Sequence, residues 1–143
     1  MDMVEKVNDN GNNIAIIIRA SFKKNDIHFF TPHDYSQQLA YMKRPKEYEI
    51  EPHVHKVVKR EVHLTQEVLF IKSGRVRVDF YDNEKRYLES RILEVGDVIL
   101  LAGGGHGFQM LEETEMIEVK QGPFSGDNDK VRFEPKVSDI IIK

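Results

Sequence analysis

Short runs of β-branched and aromatic residues, each closed by a turn signal, constrain this chain more than any other feature. Residues 14–19 are continuous and β-branched, 27–30 follow the turn Lys24-Asn25-Asp26, and 48–58 mix alternation with Pro52. Residues 62–71 form a long strand-like run that ends at Ser73-Gly74. Over 75–80, Val76, Val78 and Phe80 share one face while Arg75, Arg77 and Asp79 share the other. Asp82-Asn83-Glu84-Lys85 reads as a hairpin loop, 87–95 as the return strand, and Gly96-Asp97 as the next turn. Residues 98–101 and 116–119 read as buried runs. The pattern amounts to eight or nine short strands with turn signals roughly every 8–12 residues, which predicts an all-β barrel or jelly roll with Phe80 and Ile99 in its core. One helical turn is expected over residues 31–38, capped by Thr31 with Pro32 at its first position.

The 143 residues fit one domain. The absence of cysteine removes disulfides, zinc fingers, iron–sulfur clusters and thiol nucleophiles together, and makes a reducing cytoplasm the simplest compartment. No run reaches the ~18 apolar residues of a membrane span, and the acidic, polar residues 1–13 are not a signal peptide. Net charge is −3, with 21 basic and 24 acidic residues interspersed, which gives nucleic acid no basic face. The nearest candidate, Lys56, Lys59 and Arg60, reads as a solvated hairpin tip. No Gly-x-Ser-x-Gly elbow presents a serine nucleophile, and no lysine follows Gly103-Gly104-Gly105 to make a phosphate loop. Those glycines read instead as a tight turn that aims His106. The polar tail 121–143 ends in Ile140-Ile141-Ile142, which calls for burial as an edge strand or against a second subunit.

Two segments concentrate chemistry. Residues 51–74 hold three of the six histidines, His53, His55 and His63, followed by Glu67 and Gly74. Residues 96–106 run Gly96-Asp97-Val98-Ile99-Leu100-Leu101-Ala102-Gly103-Gly104-Gly105-His106. Together they resemble the two motifs of the cupin superfamily, small jelly-roll barrels, over roughly residues 45–120. The resemblance implies a divalent metal (Fe, Mn, Ni, Co or Zn) held by His53, His55, Glu67 and His106, with an open position for Lewis-acid or redox chemistry.

Eleven residues separate His55 from Glu67, where the family has three or four. One alignment therefore places Glu61-x-His63 in the His-x-His slot. The other keeps His53 and His55 and lengthens the hairpin, centred near residue 61. An even insertion preserves facing, so His55 stays opposite Glu67 and His63 lies nearer the tip, as a mouth residue or alternative ligand.

The resemblance implies an enzyme acting on a small polar substrate, such as a carbohydrate or sugar nucleotide, by isomerase- or epimerase-type proton transfer. His63 and His53 are the catalytic candidates, because histidine titrates near neutral pH. His53-Val54-His55-Lys56 also resembles the His-x-His-Lys of sugar-nucleotide ketoisomerases. Tyr41, Arg44 and Tyr48 precede the histidine pair and are candidate substrate contacts at the mouth. An Fe(II)-dependent dioxygenase and a non-catalytic metal- or sugar-binding module are the alternatives. A homodimer is expected through the Ile-rich N-terminal strand or the Ile140–Ile142 tail.

Overall fold

In a computed structural model that describes residues 3–143, the chain is all-β, with every named strand pairing antiparallel and no helix among the described residues. The strands are β1 (Val4–Asp9), β2 (Asn12–Ile18), β3 (Asp26–Phe29), β4 (Ala40–Lys43) and β5 (Glu67–Ser73). They continue as β6 (Arg75–Tyr81), β7 (Tyr87–Glu94), β8 (Val98–Leu101), β9 (Gly105–Met110) and β10 (Glu115–Lys120). One sheet runs β1-β2-β8-β5-β10, a second β7-β6-β9, and β3 pairs with β4 alone.

Side-chain alternation explains how the sheets stack. Ala15 and Ile17 of β2, Leu69 and Ile71 of β5, and Ile99 and Leu101 of β8 point from the five-stranded sheet toward Val76, Val78 and Phe80 of β6 and Leu93 of β7. Phe80 is fully buried there, worth about 1.5–3 kcal/mol of transfer free energy. The opposite face of the same sheet carries Ile16, Ile18, Leu100 and Ala102, covered by Phe22, Phe30, Tyr35 and Leu39. Strand β2 is thus buried on both faces, which is why residues 14–18 read as a continuous apolar run rather than an alternating one.

Three strands, β1, β4 and β9, went unread in the sequence. β1 joins β2 through Asn10-Gly11, both at positive φ (49° and 81°), the backbone of a tight hairpin turn. β9 follows the triple glycine. Two expectations are corrected. Residues 48–58 form no strand, and 51–66 carry no regular structure, so the lengthened hairpin that would set His55 opposite Glu67 does not exist in this structure. Glu67 pairs with Leu101 and Lys120 instead. Residues 31–38 are not helical. Thr31 is buried and clamps the base of a loop, its Oγ1 donating to Gln38 Oε1 (3.0 Å) and accepting from the Leu39 N–H (3.2 Å).

The Gly96-Asp97 turn is fixed electrostatically. Buried Asp97 accepts from the backbone N–H groups of Ala20 and Glu94, each at 2.8 Å, and from Arg19 Nη1 at 3.0 Å. Arg19 also grips Glu5, which a second guanidinium, Arg91, engages as well. Hydrogen bonding from Arg19 holds the Glu5 carboxyl below its ordinary range.

Candidate functional site

Glu67 opens β5, and its side chain lies on the inner face with Leu69 and Ile71. His106 lies on β9 opposite Phe80, facing the same interior from the other sheet. The turn that aims it requires glycine. Gly104 has φ +63°, and a Cβ there would stand 2.4 Å from the Tyr81 carbonyl oxygen. The outcome is that His106 Nε2 lies 3.8 Å from Glu67 Oε2.

That separation is too long for a hydrogen bond, and the pair is not an ion pair. Burial pushes the Glu67 carboxyl up to about 7, helped by the neighbouring Glu118 carboxylate and opposed by Lys120 and Lys130. Burial also lowers the His106 imidazole below its ordinary value. Near neutral pH, therefore, a half-protonated carboxyl faces an uncharged imidazole. Glu118 and Lys120 share the inner face of β10, a consequence of the alternation in Glu115-Met116-Ile117-Glu118-Val119-Lys120. In the sequence the apolar Met116, Ile117 and Val119 mask both.

Glu67 and His106 line a cleft of about 910 Å³ that also meets Thr65, Phe108 and Lys120. It follows the edge of β9 that has no strand partner, so it touches both faces of the three-stranded sheet. Residues of the tail, Asp129, Lys130 and Phe133 among them, form its far wall. Phe133 packs edge-on against Tyr81 at 5.0 Å. Asp129 Oδ2 pairs with Lys120 Nζ at 3.1 Å, while Oδ1 is buried without a hydrogen-bond partner. An orphaned acceptor beside a cation is suited to a ligand hydroxyl.

The other expected site residues lie elsewhere. His53 and His55 stand on the exposed, irregular segment, their rings 5.2 Å apart, and neither lines this cleft. His63 is exposed, 3.5 Å from Glu61, and borders a neighbouring cleft that shares Thr65, Gly104 and Asp129 with the first. Tyr41 packs edge-on against Phe22 at 4.9 Å. Arg44 pairs with Asp26 at 3.0 Å and lies 4.5 Å above the Tyr48 ring. These three make a cluster around β3 and β4, apart from Glu67 and His106.

Among the described residues, no three His, Asp or Glu side chains are spaced to hold a metal ion. The structure brings together two of the four expected donors, and a resident divalent ion normally takes at least three. The arrangement within one chain does not fit such an ion, and no step below is routed through one.

Compared with known proteins, the chain matches no protein-family model, no curated protein and no solved structure.

Proposed function

We propose that the cleft binds a small polyhydroxylated or carbonyl-bearing molecule and that Glu67 and His106 exchange protons with it. The observation that carries this reading is the pairing of a carboxyl titrating at about 7 with an uncharged imidazole 3.8 Å away, across the interior of two facing sheets. A carboxyl that titrates near working pH can give or take a proton, and an uncharged imidazole can accept one, which is what a general acid and a general base require. Lys120 and Lys130 favour an anionic group on the ligand, Asp129 Oδ1 accepts a hydroxyl, and Phe108 and Phe133 supply apolar walls. Isomerase- or epimerase-type transfer on a sugar-like substrate is the matching chemistry, and the two-sheet packing with Glu67 and His106 on its inner faces agrees with a cupin-like jelly roll. Incubation of keto-sugars and sugar phosphates in deuterated buffer tests it. Solvent deuterium should enter the carbon next to the carbonyl, and Glu67→Gln or His106→Gln should slow entry about 10²–10⁴-fold. Absence of both binding and exchange across the panel ends the reading.

A second reading keeps the divalent metal, and with it dioxygenase chemistry or simple binding. It is favoured by the close His53–His55 pair, which would complete a four-donor set if brought to Glu67 and His106. Equilibrium dialysis against Mn, Fe, Ni and Zn decides it. About one retained equivalent, lost in both His53→Ala and His106→Ala, supports it, and no retention rejects it.

A further inference from the structure

Every residue from Pro45 to Thr65 is exposed, and residues 49–65 make no backbone–backbone hydrogen bond to any described part of the chain. Val54 is 91% exposed and Val57 fully so. The amide and carbonyl groups of this connection between β4 and β5 are therefore free to bond to a molecule that grips an extended backbone. Three cations stand on it, Lys56, Lys59 and Arg60, and none has an acidic partner among the described residues.

A protease that cuts after basic residues needs these two properties together. It holds the substrate chain extended through main-chain hydrogen bonds, and it seats one basic side chain on a carboxylate at the floor of a pocket. We infer that residues 56–61 are a cleavage site for an endoprotease of trypsin-like specificity, and that the cut protein persists as two chains joined only by strand pairing and packing. Water is the co-reactant. Hydrolysis of the Arg60–Glu61 peptide bond consumes one water and leaves a carboxylate on Arg60 and an amine on Glu61.

Basic residues elsewhere lack one half of the requirement. Arg75, Arg77 and Lys120 sit in strands whose backbone is already paired. Lys85 and Arg86 occupy a tight loop, in which the Lys85 N–H donates to the Asp82 carbonyl and the Asp82 N–H to the Arg86 carbonyl. Lys23 and Lys24 have only Asn25 between them and the start of β3, with packed Phe22 on the other side. Arg44 precedes Pro45 and Lys136 follows Pro135, and proline has no N–H to give to a protease. Arg132 is paired with Asp127.

Cutting here leaves every strand pairing intact. The N-terminal piece keeps β2 in the five-stranded sheet, where Ala15–Ile18 pairs with Val98–Leu101 and the Ala102 N–H donates to the Ile14 carbonyl at 2.9 Å. Arg19 and the Ala20 N–H stay bound to Asp97. Glu67, His106, Glu118 and Lys120 all belong to the C-terminal piece, so the inference stands apart from the proton-exchange reading. What changes is the neighbouring cleft. Residues 61–65 form part of its wall, and the cut turns them into a free end rooted at Gln66, whose carbonyl accepts the Gln121 N–H at 3.0 Å.

Brief digestion of the full chain with trypsin in native buffer, read by intact mass, tests the inference. The first cut should fall after Lys56, Lys59 or Arg60. The two pieces should co-elute in gel filtration with the far-UV circular dichroism of the intact chain, and part only in urea. The rate of the first cut should not rise with urea below the unfolding transition, because no opening step precedes it. Lys56→Gln, Lys59→Gln and Arg60→Gln together should slow that cut at least about 10²-fold. All three residues are exposed, so the variant's circular dichroism should match the wild type and exclude misfolding. A first cut elsewhere, a rate that climbs with urea, or pieces that separate in native buffer overturns the inference.

Discussion

Glu67 Oε2 stands 3.8 Å from His106 Nε2, and burial rather than mutual attraction sets the protonation of both. The two groups impose opposite pH slopes on stability. Below pH 4.5 folded and unfolded chains both hold the Glu67 proton. Between there and about 7 only the folded chain holds it, so stability falls as pH rises through that window. His106 works the other way. Its contribution is intact above 6.5 and is lost as pH falls toward its depressed folded value. Glu67→Gln should therefore gain on the wild type by about 1–3 kcal/mol between pH 5 and pH 8 in urea denaturation. Identical slopes for the two proteins would refute the buried-carboxyl account.

Removing Asp97 should cost about 2–4 kcal/mol. Asp97→Ala strands two backbone N–H groups and leaves Arg19 short of one of its two carboxylates. Guanidinium denaturation of the variant measures the loss, and a cost below about 1 kcal/mol would show that water replaces the carboxylate.

Phe80→Ala should cost about 3–5 kcal/mol, because the ring is fully enclosed between the two large sheets. Thermal unfolding followed by near-UV circular dichroism reads it, and a smaller cost would mean that the interior collapses around the gap.

Gly104→Ala combines a left-handed backbone with a Cβ placed 2.4 Å from the Tyr81 carbonyl oxygen. Destabilisation of roughly 1–3 kcal/mol is expected, with β9 displaced. The ring resonances of His106 should move in the variant's NMR spectrum, and an unmoved ring would release Gly104 from its aiming role.

How much was legible follows from which signals are local. The all-β class, the inward trio Val76, Val78 and Phe80, and the strands β6, β7, β8 and β10 could be read because period two and turn residues report on a few neighbours at a time. β1 carries the strong hairpin signal Asn10-Gly11, but its polar and charged residues give little apolar alternation to mark it as a strand. Residues 48–58 show the opposite failure. Their alternation is real, yet a strand also needs an edge to join, and nothing local says whether one is within reach. Glu67 and His106 were found through motif resemblance. Glu118, Lys120 and Asp129 were not, because they reach Glu67 and His106 through strand pairing and a distant tail.

The central placement of β2 has a consequence for how the chain reaches this arrangement. Its partner on one side, β1, is two residues away, but on the other side Ala15 meets Leu101, across most of the chain. The β1–β2 and β6–β7 hairpins can close within microseconds. The middle of the large sheet must wait for a long loop to close before it is repaid by any contact. Folding should be slow for so small a chain, in the millisecond-to-second range of proteins dominated by distant pairings. Until β2 and β8 meet, the apolar run from Ile14 to Ile18 stands unpaired on one side, which makes that interval the one in which chains are most prone to aggregate.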